Sequence, residues 1–269
     1  NVDIAAESLC QILKFFSYDK DSQKGKTVYY AGKHHSESNP LIPVGEKYVC
    51  PCSKFLFEGL FFRLDDMLIK NGPTKYKQNK DFAFEKKVTE VFQTFFPQKA
   101  KIFVNYSLDG VAENDLLVII GNTCIIVEIK DCKFREPFRD PLKAYDRIKR
   151  DYQNAIQLGY DQCRRVEKVL LDDKDVDILD ADDKKKVLFH LKNENIGEIW
   201  SIVVTDFKYG TIQTNLGNLL EKDEDALYPW SVCIDDLEAF FLLMKKILKG
   251  IAPSRFLEFL DYRERQQVH

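Results

Sequence analysis

From residue 81 onward the apolar residues recur with two different periods, and each period marks a different kind of element. Phe84, Val88, Val91, Phe92 and Phe95 fall on one face of a helix that Asp81 is placed to cap and Pro97 to end. Residues 101–107 alternate apolar and polar positions as a strand does, and 115–120 and 123–130 are strongly β-forming runs. Only Gly121-Asn122 separates the last two runs. Both residues tolerate positive φ, so a tight antiparallel hairpin is predicted there. A long helix is predicted from Pro141 to Leu171, with Tyr145, Ile148, Tyr152, Ile156, Cys163, Val166 and Leu170 on its inner face. Residues 199–207 and 230–234 read as two further strands. Residues 237–248 read as a helix capped by Asp235 or Asp236 and closed by Gly250.

The first 80 residues are patterned differently. Ile4, Leu9, Ile12, Leu13 and Phe16 predict a short amphipathic helix. Residues 21–54 are polar, with Gly25, Gly32, Pro40, Pro43 and Gly45, and predict a long loop or irregular lid. A second apolar helical stretch carries Phe55, Leu56, Leu60, Phe61, Leu64 and Leu68; Asn71-Gly72-Pro73 stops it, and a basic linker, 75–80, follows. Residues 172–186 hold seven aspartates and then three lysines, which predicts a solvated loop. No internal repeat is visible. The order of elements predicts an α/β domain over residues 81–269, with a central mixed sheet that contains an antiparallel β-hairpin and is flanked by helices. A helical and irregular extension, residues 1–80, precedes it.

Composition narrows the classes. With 269 residues, 45% of them hydrophobic, the chain is globular rather than disordered. No apolar run approaches the roughly 18 residues that cross a bilayer, so no membrane partner is expected. A net charge of −3 excludes a histone-like, tail-driven polyanion binder, but it would hide a small acid cluster. The chain opens Asn1-Val2-Asp3 without a basic or apolar leader, which reads as a trimmed or processed start and not as an export signal. Seven cysteines, an odd number, then predict reduced thiols and a cytoplasmic protein.

The candidate chemistry lies around the hairpin. Six residues lead back from the turn to Asp115 and six lead forward to Glu128, so the two carboxylates face each other across the strands. Carboxylates that close repel unless a cation lies between them. In Glu128-Ile129-Lys130, strand alternation puts Glu128 and Lys130 on one face. Ile129 then points into the core with its carbonyl free to ligate. Oxygen-only ligands suit Mg²⁺ or Mn²⁺, which also bind substrate phosphates. Such an ion acidifies water and offsets charge in phosphodiester hydrolysis, and a neighbouring lysine orients the attacking water or helps to deprotonate it.

The Asp, hairpin, Glu-x-Lys arrangement resembles the PD-(D/E)xK phosphodiesterase superfamily, the restriction-endonuclease-like fold, and above all its nuclease-related domains and junction resolvases. The resemblance covers residues 81–240. Asp115 matches the motif's aspartate, and Glu128 and Lys130 match its (D/E)xK; Asn114 stands where the family usually has proline. The resemblance implies a metal-dependent endonuclease acting on DNA ahead of RNA, with a restriction or anti-phage role as one setting. It implies a glutamate on the preceding helix that joins Asp115, Glu128 and the Ile129 carbonyl at the metal: Glu85, with Glu90 as alternative. It also implies a glutamine from the helix after the lysine strand, where Gln162 fits first and Gln157 second.

Eight basic side chains between residues 130 and 150, among them Lys133 and Arg135, begin at this site and are placed to contact substrate phosphates. Residues 1–80 would serve substrate selection, homo-oligomer formation, or regulation together with an upstream domain or partner. Cys50-Pro-Cys52 has the form of half a zinc site, with Cys10, His34 and His35 the only upstream candidates for the other half and a spacing that matches no strong zinc pattern; two reduced thiols in a loop are the alternative. Of two rival functions only the first remains. It is a catalytically inactive nuclease-fold module that binds nucleic acid or a protein. The other, a glycosidase using paired carboxylates, needs sugar platforms and has no use for Lys130.

Overall fold

The computed structural model describes residues 5–19, 21, 38–108, 113–133, 135, 140–172 and 174–266. They fall into two compact units, Asn1–Lys80 and Asp81–His269.

The first unit holds helix α1 (Ala6–Phe15), a small antiparallel hairpin of β1 (Ile42–Val44) and β2 (Lys47–Val49), and helix α2 (Ser53–Asn71). The hairpin lies inside the stretch predicted to be a loop. Its three-residue strands are too short to show a period, and only Gly45, at φ +58, marks the turn. Helix α3 (Pro73–Phe95) begins at the proline that the sequence suggested as a stop. Proline is well placed in a first helical turn, and nothing between residues 74 and 95 breaks a helix. The 75–80 linker is therefore helical, and Asp81 lies inside the helix instead of capping it.

The second unit is built on a seven-stranded mixed sheet in the order β7-β6-β3-β4-β5-β8-β9. Its strands are β3 (Lys101–Leu108), β4 (Asn114–Ile120), β5 (Thr123–Lys130), β6 (Val176–Asp180), β7 (Val187–Leu191), β8 (Glu198–Thr205) and β9 (Trp230–Cys233). The pairs on the β7 side of β5 are antiparallel; β5–β8 and β8–β9 are parallel. Gly121 takes φ +61 in the predicted hairpin turn. The aspartate-rich segment supplies β6, against the expectation of a loop. Val176 and Ile178 are buried while Asp177 between them faces out, an alternation that the aspartate count obscured.

The predicted long helix is three pieces: α4 (Pro141–Tyr152), a π-helical turn (Gln153–Gln157) and α5 (Leu158–Leu171). The wider turn shifts the inward face, so Tyr152, Ile156, Cys163, Val166 and Leu170 are buried but Tyr145 is exposed. A one-turn helix α6 (Thr211–Thr214) precedes β9, and α7 (Ile234–Leu248) and α8 (Ala252–Arg265) end the unit.

Each face of the sheet has its own core. On one, Phe84, Phe92 and Phe95 of α3 meet Phe241 of α7 and Phe256 of α8 over Leu116, Val118, Ile125, Val127, Ile202 and Val204. Phe95 stacks on Phe241 with ring centroids 3.8 Å apart. On the other, Cys163, Val166 and Leu170 of α5 cover Tyr106, Leu117, Ile119, Cys124, Ile126 and Val203. Among the described residues no helix is long and apolar enough to cross a membrane.

Candidate active site

The β4–β5 ladder runs from Ile120↔Thr123 to Leu116↔Val127, so the next positions outward on the two strands are Asp115 and Glu128. Strand pairing alone thus places the two carboxylates at the same end of the sheet. Their acceptor bonds differ. Asp115 Oδ2 accepts the main-chain N–H of Ile129 at 2.6 Å, taking the place of a ladder bond. Glu128 Oε2 accepts from Lys130 Nζ at 2.8 Å, and the same ammonium lies 3.5 Å from Asp115 Oδ2. Glu128 is fully buried, Lys130 is 11% exposed and Asp115 25% exposed. Lys130 thus stands between two acids that would otherwise repel.

Burial pushes the Glu128 carboxyl up to about 7, Asp115 adds to the rise, and Lys130 opposes it. For Lys130, burial works downward, but Glu128 and Asp115 outweigh it and hold the ammonium above its ordinary range. Glu85 is raised too, by desolvation first and then by Asp115, Asp81 and Glu113, with Lys130 acting against them. These mutual effects place Glu85 in the field of the same cluster. Glu85, Glu90, Glu113, Asp115 and Ile129 all line one cleft of about 450 Å³. Both α3 candidates therefore reach the site's opening. Ile129 has its side chain in the core beneath α3.

Two residues that the sequence reading passed over shape the site. Asn105 takes φ +48 at the position opposite Asp115, where the β3–β4 ladder is interrupted between Val104↔Leu116 and Tyr106↔Asn114. Asparagine tolerates this left-handed conformation, and its presence in an otherwise apolar β run was the available signal. Gly159 of α5 is the second. A Cβ there would meet Val203 Cγ1 at 2.7 Å and Lys130 Cγ at 3.5 Å, so the missing side chain lets the helix press on the lysine stem. A glycine within a helical pattern is the signal for such close packing.

The other predicted contacts are distributed unevenly. Gln162 lies one turn beyond Gly159, half-buried, with Oε1 enclosed and unpartnered. Gln157 is turned to the main chain of Glu221, donating to its carbonyl and accepting its N–H, each at 2.8 Å. Arg135 is held by buried Asp151, which accepts its main-chain N–H at 2.9 Å and its Nε at 2.8 Å. That pair ties down the segment leaving β5. Lys133 is exposed. Arg139 lies outside the described residues.

Asp115 and Glu128 offer hard oxygen donors, and Glu128 Oε1 is enclosed without a hydrogen-bond partner among the described residues. Among the described residues no group of three His, Cys, Asp or Glu is placed to hold a metal ion. A two-carboxylate set still fits Mg²⁺, which is commonly held by one or two carboxylates and keeps waters or substrate phosphates as its remaining ligands. For the zinc half-site, Cys50 Sγ donates to the Cys52 carbonyl at 3.2 Å, Cys10 is exposed, and His34 and His35 lie outside the described residues.

Comparison with known families supplies one match: residues 80–205 match the family described as nuclease-related domain. No curated protein and no solved structure matches the chain.

Proposed function

With residues 80–205 a nuclease-related domain of the restriction-endonuclease-like superfamily, we propose that the protein is a divalent-metal-dependent nuclease acting on phosphodiesters, DNA ahead of RNA. The observation that carries this reading is the meeting of Asp115, Glu128 and Lys130 at the end of the hairpin, with Asp115 on a cleft that Glu85 also lines. Asp115 and Glu128 would hold Mg²⁺ or Mn²⁺, with Glu85 and the Ile129 carbonyl completing the set. When bound, the ion would supply a Lewis acid that offsets charge on the phosphate and acidifies water. Lys130, kept charged by its two carboxylates, is suited to donate a hydrogen bond that orients the attacking water or a phosphate oxygen, rather than to act as a base. Asp115 fixes its own orientation through the Ile129 N–H.

One observation favours the rival reading, a catalytically silent module: a single ammonium already bridges both acids, and no third acid joins them at metal-binding distance among the described residues. Cleavage of plasmid, linear duplex and single strands of DNA and RNA, with Mg²⁺ or Mn²⁺, separates the two. The nuclease reading expects cleavage by the wild type and its loss in Glu128→Ala and Lys130→Ala. Cleavage that survives both substitutions sinks the mechanism; no cleavage and no ion binding by calorimetry leaves the silent module.

A further inference from the structure

Among the described residues, two buried oxygen atoms beside the site have no hydrogen-bond partner. Tyr106 of β3 is wholly enclosed, and its hydroxyl is unpartnered. Glu128 is wholly enclosed as well; Lys130 serves Oε2, and Oε1 is unpartnered. Native interiors rarely leave such atoms unsatisfied, because a buried polar atom that has given up water and gained nothing is strongly unfavourable.

Both residues belong to the side of the sheet that α5 covers. Tyr106 packs with Leu117, Ile126, Cys163 and Val203, and Glu128 continues the Cys124, Ile126 side of β5. Tyr106 reaches that side only because of Asn105. Val104 lines the cleft on the α3 side, and the residue two positions on should face the same way. The left-handed backbone at Asn105 reverses the alternation and turns Tyr106 to the α5 side, the side to which Glu128 also belongs. Among charged groups, Glu128 acts most strongly on the hydroxyl; burial first, and then that charge, hold it well above the ordinary tyrosine range, so it stays a proton donor.

We propose that Tyr106 is a positioning residue: its hydroxyl donates to Oε1 of Glu128, directly or through one bridging water, and fixes the carboxylate so that Oε2 faces Lys130 and Asp115. The role in metal binding rests on the nuclease reading above; the pairing itself does not. Carboxylates that ligate metals are commonly oriented by such outer hydrogen bonds, whose loss weakens metal affinity about 10- to 100-fold.

Tyr106→Phe keeps the ring and removes the oxygen. Calorimetric titration of Mg²⁺ should show binding weakened about 10-fold against wild type. Thermal unfolding without metal should show Tm lowered by about 2–4 °C, the shift expected for one hydrogen bond in a chain of this size. In a Glu128→Leu background, or in Glu128→Ala should that variant not fold, the same Tyr106→Phe change should leave Tm unchanged or higher. Non-additivity of this kind supports the pairing. An equal Tm change in both backgrounds, or a Tm that rises in the otherwise wild-type chain, overturns it, because removing a truly unpaired hydroxyl is neutral or stabilising. Should wild type bind neither Mg²⁺ nor Mn²⁺, the metal-site reading fails, and the thermal cycle still decides whether Tyr106 and Glu128 are paired.

Discussion

The carboxylate of Asp115 accepts the main-chain N–H of Ile129 at 2.6 Å, so one side chain both ends the β4–β5 ladder and faces the cleft. Its structural and chemical duties can be separated by substitution. Asp115→Asn keeps an oxygen acceptor for Ile129 and loses the charge; Asp115→Ala loses both. Stability is expected to fall by about 1–2 kcal/mol in Asp115→Ala and much less in Asp115→Asn. Cleavage and Mg²⁺ binding are expected to vanish in both. Denaturant unfolding beside calorimetry checks this, and full Mg²⁺ affinity in Asp115→Asn would falsify the ligand role.

The raised Glu128 carboxyl makes stability depend on pH. Its folded value, about 7, lies above the ordinary 4.5. Its stabilising contribution is therefore complete below about pH 4.5 and is lost as pH rises through 7, where the buried group must ionise. Metal-free protein is expected to lose Tm progressively between about pH 4.5 and pH 7 and little above that, and Glu128→Gln to flatten the loss. Added Mg²⁺ should raise Tm more at pH 8 than at pH 6, since the ion binds the ionised carboxylate. A wild-type profile that coincides with that of Glu128→Gln counts against the burial of this charge.

Gly159→Ala tests how closely α5 presses on the lysine stem. Alanine is the better helix former by about 1 kcal/mol. Here its Cβ would lie 2.7 Å from a branched core side chain, Val203, which has no free end to yield. Overpacking of this kind costs about 1–3 kcal/mol, so net destabilisation is expected, along with a lower kcat as Lys130 is displaced. Equal or greater stability with unchanged kcat would show that the helix backs away without disturbing the site.

Arg135 was expected at the substrate and is found on buried Asp151. Its removal is expected to lower Tm, because buried Asp151 loses its hydrogen-bonded counter-ion. Loss of a phosphate contact would instead leave Tm unchanged and reduce the salt dependence of nucleic-acid binding. Thermal unfolding and a salt titration of Arg135→Ala distinguish the two, and an unaltered Tm argues for the substrate role.

The hairpin, the acid–acid–lysine register and the α3 core face were legible in the sequence because each rests on short-range periodicity and a turn signal. Asp115 and Glu128 meet by strand pairing alone, which the distance in residues from Gly121-Asn122 fixes. The missed features depend on contacts between distant segments or on signals with two meanings. Strand β6 lay under a high aspartate count, although Val176 and Ile178 already alternated with Asp177. Gly250 reads as a stop, yet helix α8 begins two residues beyond it, with Pro253 in its first turn. The inward turn of Tyr106 was not foreseeable from period-two reasoning, since Asn105 reverses it. Gln157 was placed by analogy along a helix, and its partner Glu221 comes from a loop far along the chain.

The sheet's connectivity also sets an order of events in folding. β4 and β5 are joined by a two-residue turn, whereas the parallel partner of β5, β8, arrives only after two helices and two strands, so that Glu128 meets Val203 late. Local hairpins close in microseconds; long-range parallel pairing waits on a large loop. The acid pair therefore assembles in water and is sealed off afterwards. Conservative truncations in the hairpin, such as Ile126→Val, should give φ-values well above those for Val203→Ala, and the reverse order would show that docking of β8 nucleates the domain.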